Sequence, residues 1–140
     1  MKVNIVDVSD CDFAIFPLQE ALTNEQWKIV GDCYARSEER FIGTADNVLA
    51  CMWGLIPPTL MSDRAYLWLY HNDLVEQYKF AFIRHSQVQI KRMLKAYPII
   101  IGDCMVSNTI GRRWLTWLGA KFDHPHGDLS SFEIKAKVNG

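Results

Sequence analysis

Residues 64–105 restrict the fold more than any other stretch of the chain. Arg64–His71 reads Arg-Ala-Tyr-Leu-Trp-Leu-Tyr-His, dense in the aromatic residues that fit a pleated surface, and predicts a strand. Lys79–Ala96 places Phe80, Ile83, Ile90 and Leu94, with Tyr97 just beyond, at helical spacing, while its cations take the other faces. Pro98 stops that helix, and the apolar run Tyr97–Met105 predicts a strand buried on both faces. A strand, a helix and a second strand in this order require a crossover, so the two strands are expected to run parallel.

The flanks add antiparallel elements. Residues 2–8 alternate polar and apolar positions and predict a first strand. Thr23 with Gln26 forms the spacing of a capping box ahead of a helix carrying Trp27, Val30 and Tyr34 on one face. Arg40–Ala45 and Val48–Leu55 predict two strands joined by a turn at Asp46-Asn47, and Pro57-Pro58 ends the second. Ser107-Asn108 caps a last helix with Ile110, Trp114 and Leu118 on one side and Gly119 past its end. Ser131–Val138 alternates as a final strand. The order β, α, β, β, β, α, β, α, β is that of an α/β (α+β) protein with a mixed sheet of six or seven strands. With 140 residues and no repeat or linker, the expectation is a single domain over 1–140.

Composition narrows the chemistry. Hydrophobic residues make up 49% of the chain and charged residues 22%, which excludes extended disorder, collagen and coiled coil. The longest apolar runs fall far short of the roughly 20 residues that span a bilayer, and the N-terminus lacks the apolar stretch of a signal peptide. No membrane span is expected, and a cytosolic location is. Cys11, Cys33, Cys51 and Cys104 are far apart with no Cys-x-x-Cys pair, so they read as small buried hydrophobes. His124 and His126, two apart beside Asp123 and Asp128, have no third nitrogen or sulfur ligand nearby, and no metal is assigned. No Walker loop, GxGxxG or nucleophile elbow occurs.

The formal net charge of −1 gives no reason to expect nucleic-acid binding, yet the halves differ. Residues 1–78 carry 5 Lys+Arg against 12 Asp+Glu, and residues 79–140 carry 10 against 4. Such a split either steers an anionic partner or lets the two halves complement each other within one fold. Trp114 is expected in the core and Trp117 as a half-exposed contact.

Asn108-Thr-Ile-Gly-Arg-Arg-Trp-Leu-Thr-Trp-Leu-Gly119-Ala-Lys-Phe122 resembles the final helix signature of the GCN5-related N-acetyltransferase (GNAT) superfamily. There an Asn opens the helix, and a Gly closes it eleven residues later ahead of an aromatic strand residue. Residues 64–122 more narrowly resemble a small family of phage proteins of this fold, the one that includes the internal virion protein A of short-tailed phages. The features are Lys91-Arg-Met-Leu-Lys-Ala-Tyr97, the strand after Pro98, and Asn108 through Phe122. The resemblance implies a GNAT-like twisted mixed sheet with helices on both faces. It also implies acetyl-CoA as cofactor, held at Trp68, Tyr70, Arg84 and Asn108.

The superfamily's chemistry makes further demands. Backbone groups of the strand Tyr66–His71 would pair with the pantetheine arm. A Gln/Arg-x-x-Gly-x-Gly/Ala loop would then cradle the diphosphate with bare amides. Here Asn72–Phe82 contains no glycine and carries Asp73 and Glu76, leaving Lys79, Arg84 and His85 to supply charge instead. The general acid, a Tyr seven residues past the helix-opening Asn, falls on Leu115, which cannot donate a proton. Tyr70, Tyr97 or a water remain as substitutes. Asp103 is either a base for an amine or the ion-pair partner of Arg112 or Arg113, with the ion pair favoured, and His71 ends the key strand. No catalytic residue is assigned.

Two functions follow. In the first, the scaffold has a degenerate acetyl-CoA site and serves as a virion-assembly or internal virion protein. It would act with other phage proteins in the host cytoplasm or inside the particle. In the second, it is an active acetyl-CoA-dependent N-acetyltransferase acting on an amine acceptor.

Overall fold

Seven strands hydrogen-bond in the order β1-β2-β3-β4-β5-β7-β6, in a computed structural model that describes residues 3–10, 23–60 and 62–136. The elements are β1 (Val3–Asp7), α1 (Asn24–Arg36), β2 (Glu39–Ala45), β3 (Val48–Ile56), β4 (Ala65–His71), α2 (Leu74–Gln77), α3 (Lys79–Ala96), β5 (Ile99–Met105), α4 (Thr109–Trp117), β6 (Lys121–Phe122) and β7 (Leu129–Lys135). The mixed α+β order is the expected one. Lys2, Cys11, Lys137 and Val138 lie outside the described residues. α2 was not expected: it is only four residues long, too short to show a period. β6, the strand the resemblance implies at Phe122, is two residues paired with β7. The last strand begins earlier than expected, at Leu129, just past a turn in which His126 and Leu129 bridge.

The chain's contacts divide it into two compact units. The first comprises Met1–Pro57 with Trp68–Tyr78, and the second Pro58–Leu67 with Lys79–Gly140. Counted over these segments, the first unit carries 4 Lys+Arg against 11 Asp+Glu and the second 11 against 5. The charge division visible along the sequence is therefore also a division between units.

In the first unit, Thr23 Oγ1 accepts from Gln26 N and Gln26 Oε1 accepts from Thr23 N, closing the expected capping box on α1. That helix buries Val30 and Tyr34, whose hydroxyl donates to Val8 O while the Arg40 guanidinium lies 4.4 Å over its ring. β2 and β3 form a hairpin across Asp46 and Asn47, both with positive φ (49° and 67°). This is the two-residue turn whose twist suits flanking antiparallel strands. A register shift between Gly43 and Thr44 leaves Ala50 as an extra residue in β3. Eight of the nine β3 residues are buried, and Phe41 and Trp53 stack with centroids 4.5 Å apart.

In the second unit, β4 and β5 are parallel neighbours, with Ala65 opposite Ile100 and Tyr66 opposite Ile101, as the crossover demands. β7 pairs antiparallel with β5 over Ile99–Met105 and also with β6. α3 and α4 meet through Phe82 and Trp114, and Trp114 Nε1 donates to Ser86 Oγ at 2.8 Å. The Ser86 hydroxyl in turn donates to Phe82 O, so this fully buried serine links both helices. Ser86→Ala should cost about 2 kcal/mol, because it strands a buried indole N–H. Urea denaturation followed by tryptophan fluorescence measures it, and an unchanged midpoint would mean the indole finds another acceptor. Trp114 is core and Trp117 is exposed. Gly119, at φ 99°, follows the end of α4 as expected. No helix among the described residues is long and apolar enough to cross a membrane.

Candidate functional site

The connection that follows β4 is where a diphosphate-binding loop would have to lie, and five of its amides are already used. Asn72 N donates to Ala50 O, the carbonyl of the extra β3 residue, and Asn72 Nδ2 donates to Leu49 O. Asn72 Oδ1 accepts from Leu74 N at 3.0 Å, a local side-chain turn that starts α2. The amides of Val75, Glu76 and Tyr78 donate to Asn72 O, Asp73 O and Val75 O. Five amides between residues 72 and 78 thus point into the chain itself. Val75 is buried and anchors the turn, while Asp73 and Glu76 set carboxylates along it. A diphosphate needs outward amides and glycines that let it approach; this segment has no glycine and turns five amides inward. These bonds and carboxylates weigh against a diphosphate seated on residues 72–78.

A second place is a cleft of ≈ 560 Å³ in the second unit. Side chains alternate along a strand, so Tyr66 of β4, Ile101 and Asp103 of β5, and Ser131 and Glu133 of β7 share one face. Asp103 stands directly opposite Ser131, whose hydroxyl donates to Asp103 Oδ1 at 2.7 Å. Tyr66, opposite Ile101, reaches two residues along and donates its phenolic proton to Asp103 Oδ2 at 2.9 Å. The expected ion pair between Asp103 and Arg112 or Arg113 is replaced by these two hydroxyls. Arg112 instead lies with its guanidinium 4.2 Å over the Phe122 ring, because β6 brings that aromatic beside α4. Glu133 is neutralised by Arg64 at 3.4 Å and Lys135 at 3.2 Å. Asp103 is solvent-exposed, so its remaining lone pairs are available. With both hydroxyl protons already donated to it, the cluster is rich in acceptors and suited to an N–H donor.

The four residues tied to the coenzyme are placed as follows. Trp68 is buried in the first unit, its Nε1 donating to Ser37 Oγ at 2.6 Å. Tyr70 is half-buried in the same unit, and burial pushes its phenol pKa up. Arg84 is exposed on α3. Asn108 caps α4, its Oδ1 accepting from Gly111 N at 3.0 Å, with the carboxamide packed so closely that a side chain at 111 would displace it. The general-acid position, Leu115, is 2% exposed and belongs to the core of the second unit. Tyr66, Ser131 and Asn72 were not singled out from the sequence. Tyr66 and Ser131 meet Asp103 only through strand register, which no local pattern reveals. Asn72, between a strand and a polar stretch, carries a recognisable turn signal.

Of the described cysteines, Cys51 and Cys104 are buried as expected and Cys33 is half-buried. Burial raises the thiol pKa of Cys33 and Cys104, and pushes that of Cys51 up to about 12. Among the described residues no group of three or more His, Cys, Asp or Glu is placed to hold a metal ion.

No protein-family model matches the sequence, and no curated protein sequence matches it either. Solved structures do match. A Bacillus subtilis acetyltransferase in complex with CoA superposes with a TM-score of 0.65 at 12% identity, covering 97% of this chain and 100% of that one. The Escherichia coli ribosomal-protein-S18-alanine N-acetyltransferase gives a TM-score of 0.60 at 13% identity, covering 99% and 97%. A Campylobacter jejuni N-acetyltransferase in complex with acetyl coenzyme A gives 0.55 at 12%, covering 97% and 100%. The chain has the GNAT fold.

Proposed function

We propose that this GNAT-fold chain works by binding rather than by acetyl transfer, with a degenerate acetyl-CoA site. We assign it to a phage particle, as an assembly or internal virion protein made in the host cytoplasm. The observation that carries the loss of the coenzyme site is the inward bonding of five amides in the connection 72–78. Leu115 in the general-acid position points the same way, since an aliphatic side chain has no proton to give a departing thiolate. The phage assignment is supported by the resemblance over residues 64–122, from the cationic helix through Asn108 to Phe122. Fold alone does not decide between the two functions, so the site must.

Calorimetric titration with acetyl-CoA at low and at physiological salt tests the proposal. The expected result is no heat at millimolar ligand, and micromolar affinity would overturn it. The second reading, an active N-acetyltransferase, draws on one observation: Asp103 is an exposed carboxylate in a cleft, able to take a proton from an amine. It requires thiol release from acetyl-CoA in the presence of primary amines, abolished by Asp103→Asn.

A further inference from the structure

α3 presents a face that nothing in its own helix neutralises. The helix buries Phe82, Ser86, Ile90 and Met93. At 100° per residue the opposite side carries Phe80, Arg84, Val88, Lys91 and Lys95, spaced i, i+4, i+8, i+11 and i+15. This row is about 22 Å long at 1.5 Å per residue. Phe80 is 69% exposed and Val88 62%, so two apolar side chains stand in water between the cations. The 18 residues of α3 include no Asp or Glu. Lys91 and Lys95 are a like-charge pair at i, i+4, a spacing that costs an isolated helix a few tenths of a kcal/mol. Among the described residues, none of Arg84, Lys91 and Lys95 enters an ion pair.

The charge that would complement this row is in the chain itself. The first unit carries 11 Asp+Glu against 4 Lys+Arg, with Asp10, Glu25 and Asp73 among its exposed carboxylates. A molecule with a net charge of −1 does not repel its copies, while its two units attract opposite units on other copies. We propose that the outward face of α3 docks a second copy of this chain, which meets it with the acidic surface of its first unit. Phe80 and Val88 are the apolar anchors, and Arg84, Lys91 and Lys95 set orientation and association rate. The contact joins unlike surfaces, so two copies either make it twice across a two-fold axis or pass it on in rows or rings. The proposal rests on the assembly reading above and names the surface that reading requires.

Sedimentation velocity on the full chain at low and high salt tests it. The expected result is a mass at least twice that of the monomer at low salt, falling to the monomer as salt screens the contact. Arg84→Glu, Lys91→Glu and Lys95→Glu together should leave the protein monomeric at low salt with an unchanged circular dichroism spectrum. All three sites are exposed, so folding is not at stake. The variant keeps its acidic unit, so it should still engage the α3 face of a wild-type copy through one contact where the wild type makes two. A mixture should therefore be smaller than the wild type alone. A wild-type protein that is monomeric at low salt, an association that survives the triple reversal, or a variant that ignores the wild type would each overturn the proposal. Fluorescence anisotropy with a single-stranded oligonucleotide supplies one more arm. Tight, salt-sensitive binding by a monomeric wild type, lost in the variant, would assign the row to nucleic acid instead. A chain that binds acetyl-CoA tightly yet self-associates would sink the non-catalytic reading and leave this contact standing. A monomer that ignores acetyl-CoA would do the reverse.

Discussion

Gly102→Ala is expected to lower stability by about 3 kcal/mol, at the severe end of overpacking. A Cβ at this position would stand 2.6 Å from Leu67 O and even closer to the Phe132 ring. The carbonyl belongs to β4 backbone and Phe132 is 4% exposed in β7, so neither gives way cheaply. For a chain of this length the midpoint of thermal unfolding should fall by roughly 10 °C. Gly102 is also buried among residues that line the cleft, so relief of the clash would spread β5 from its neighbours. Calorimetry of the variant measures the loss. A midpoint within a degree of the wild type would show that the strands are less closely apposed than described.

The second large effect appears at alkaline pH. Cys51 is buried in β3, and burial pushes its thiol pKa up from 9.0 to about 12, partly opposed by a hydrogen bond from the Gly43 backbone. A raised folded pKa means that the native state holds its proton longer than the unfolded chain does. The stabilisation is then fully present below pH 9 and is lost as pH climbs from 9 towards 12. The slope from this one group is about 1.4 kcal/mol per pH unit. Cys51→Ala should lose that contribution and show a shallower decline than the wild type above pH 9, on top of a lower baseline from the cavity. Denaturant titrations at a series of alkaline pH values give the two slopes, and parallel lines would refute the burial argument. The same physics keeps this thiol unreactive towards alkylating reagents in the native state at neutral pH.

Much of the architecture was legible because it is written in local patterns. Pro98 and the period of α3 marked the crossover, Thr23 and Gln26 marked the start of α1, and Asp46-Asn47 marked the hairpin. Each of these is a statement about residues within a few positions of one another. Asp103 shows where that reach ends. Its choice between arginine and hydroxyl partners depends on β5 lying opposite β7 in one register, with Ser131 across from it. A slip of one residue would turn Ser131 to the other face. The case against a diphosphate cradle lay in between. Missing glycines were visible, but the inward bonding of the amides required Ala50 and Leu49 to be in reach of Asn72.

The extra residue in β3 bears on how this strand tolerates change. Because inner and outer positions alternate, an insertion that slipped the whole register would turn every later side chain to the other face. The bulge prevents that: Gly43 stays opposite Cys51 and Thr44 opposite Leu49, so only Ala50 is left without a counterpart. The carbonyl of that spare residue accepts from Asn72 N and ties down the chain as it leaves β4.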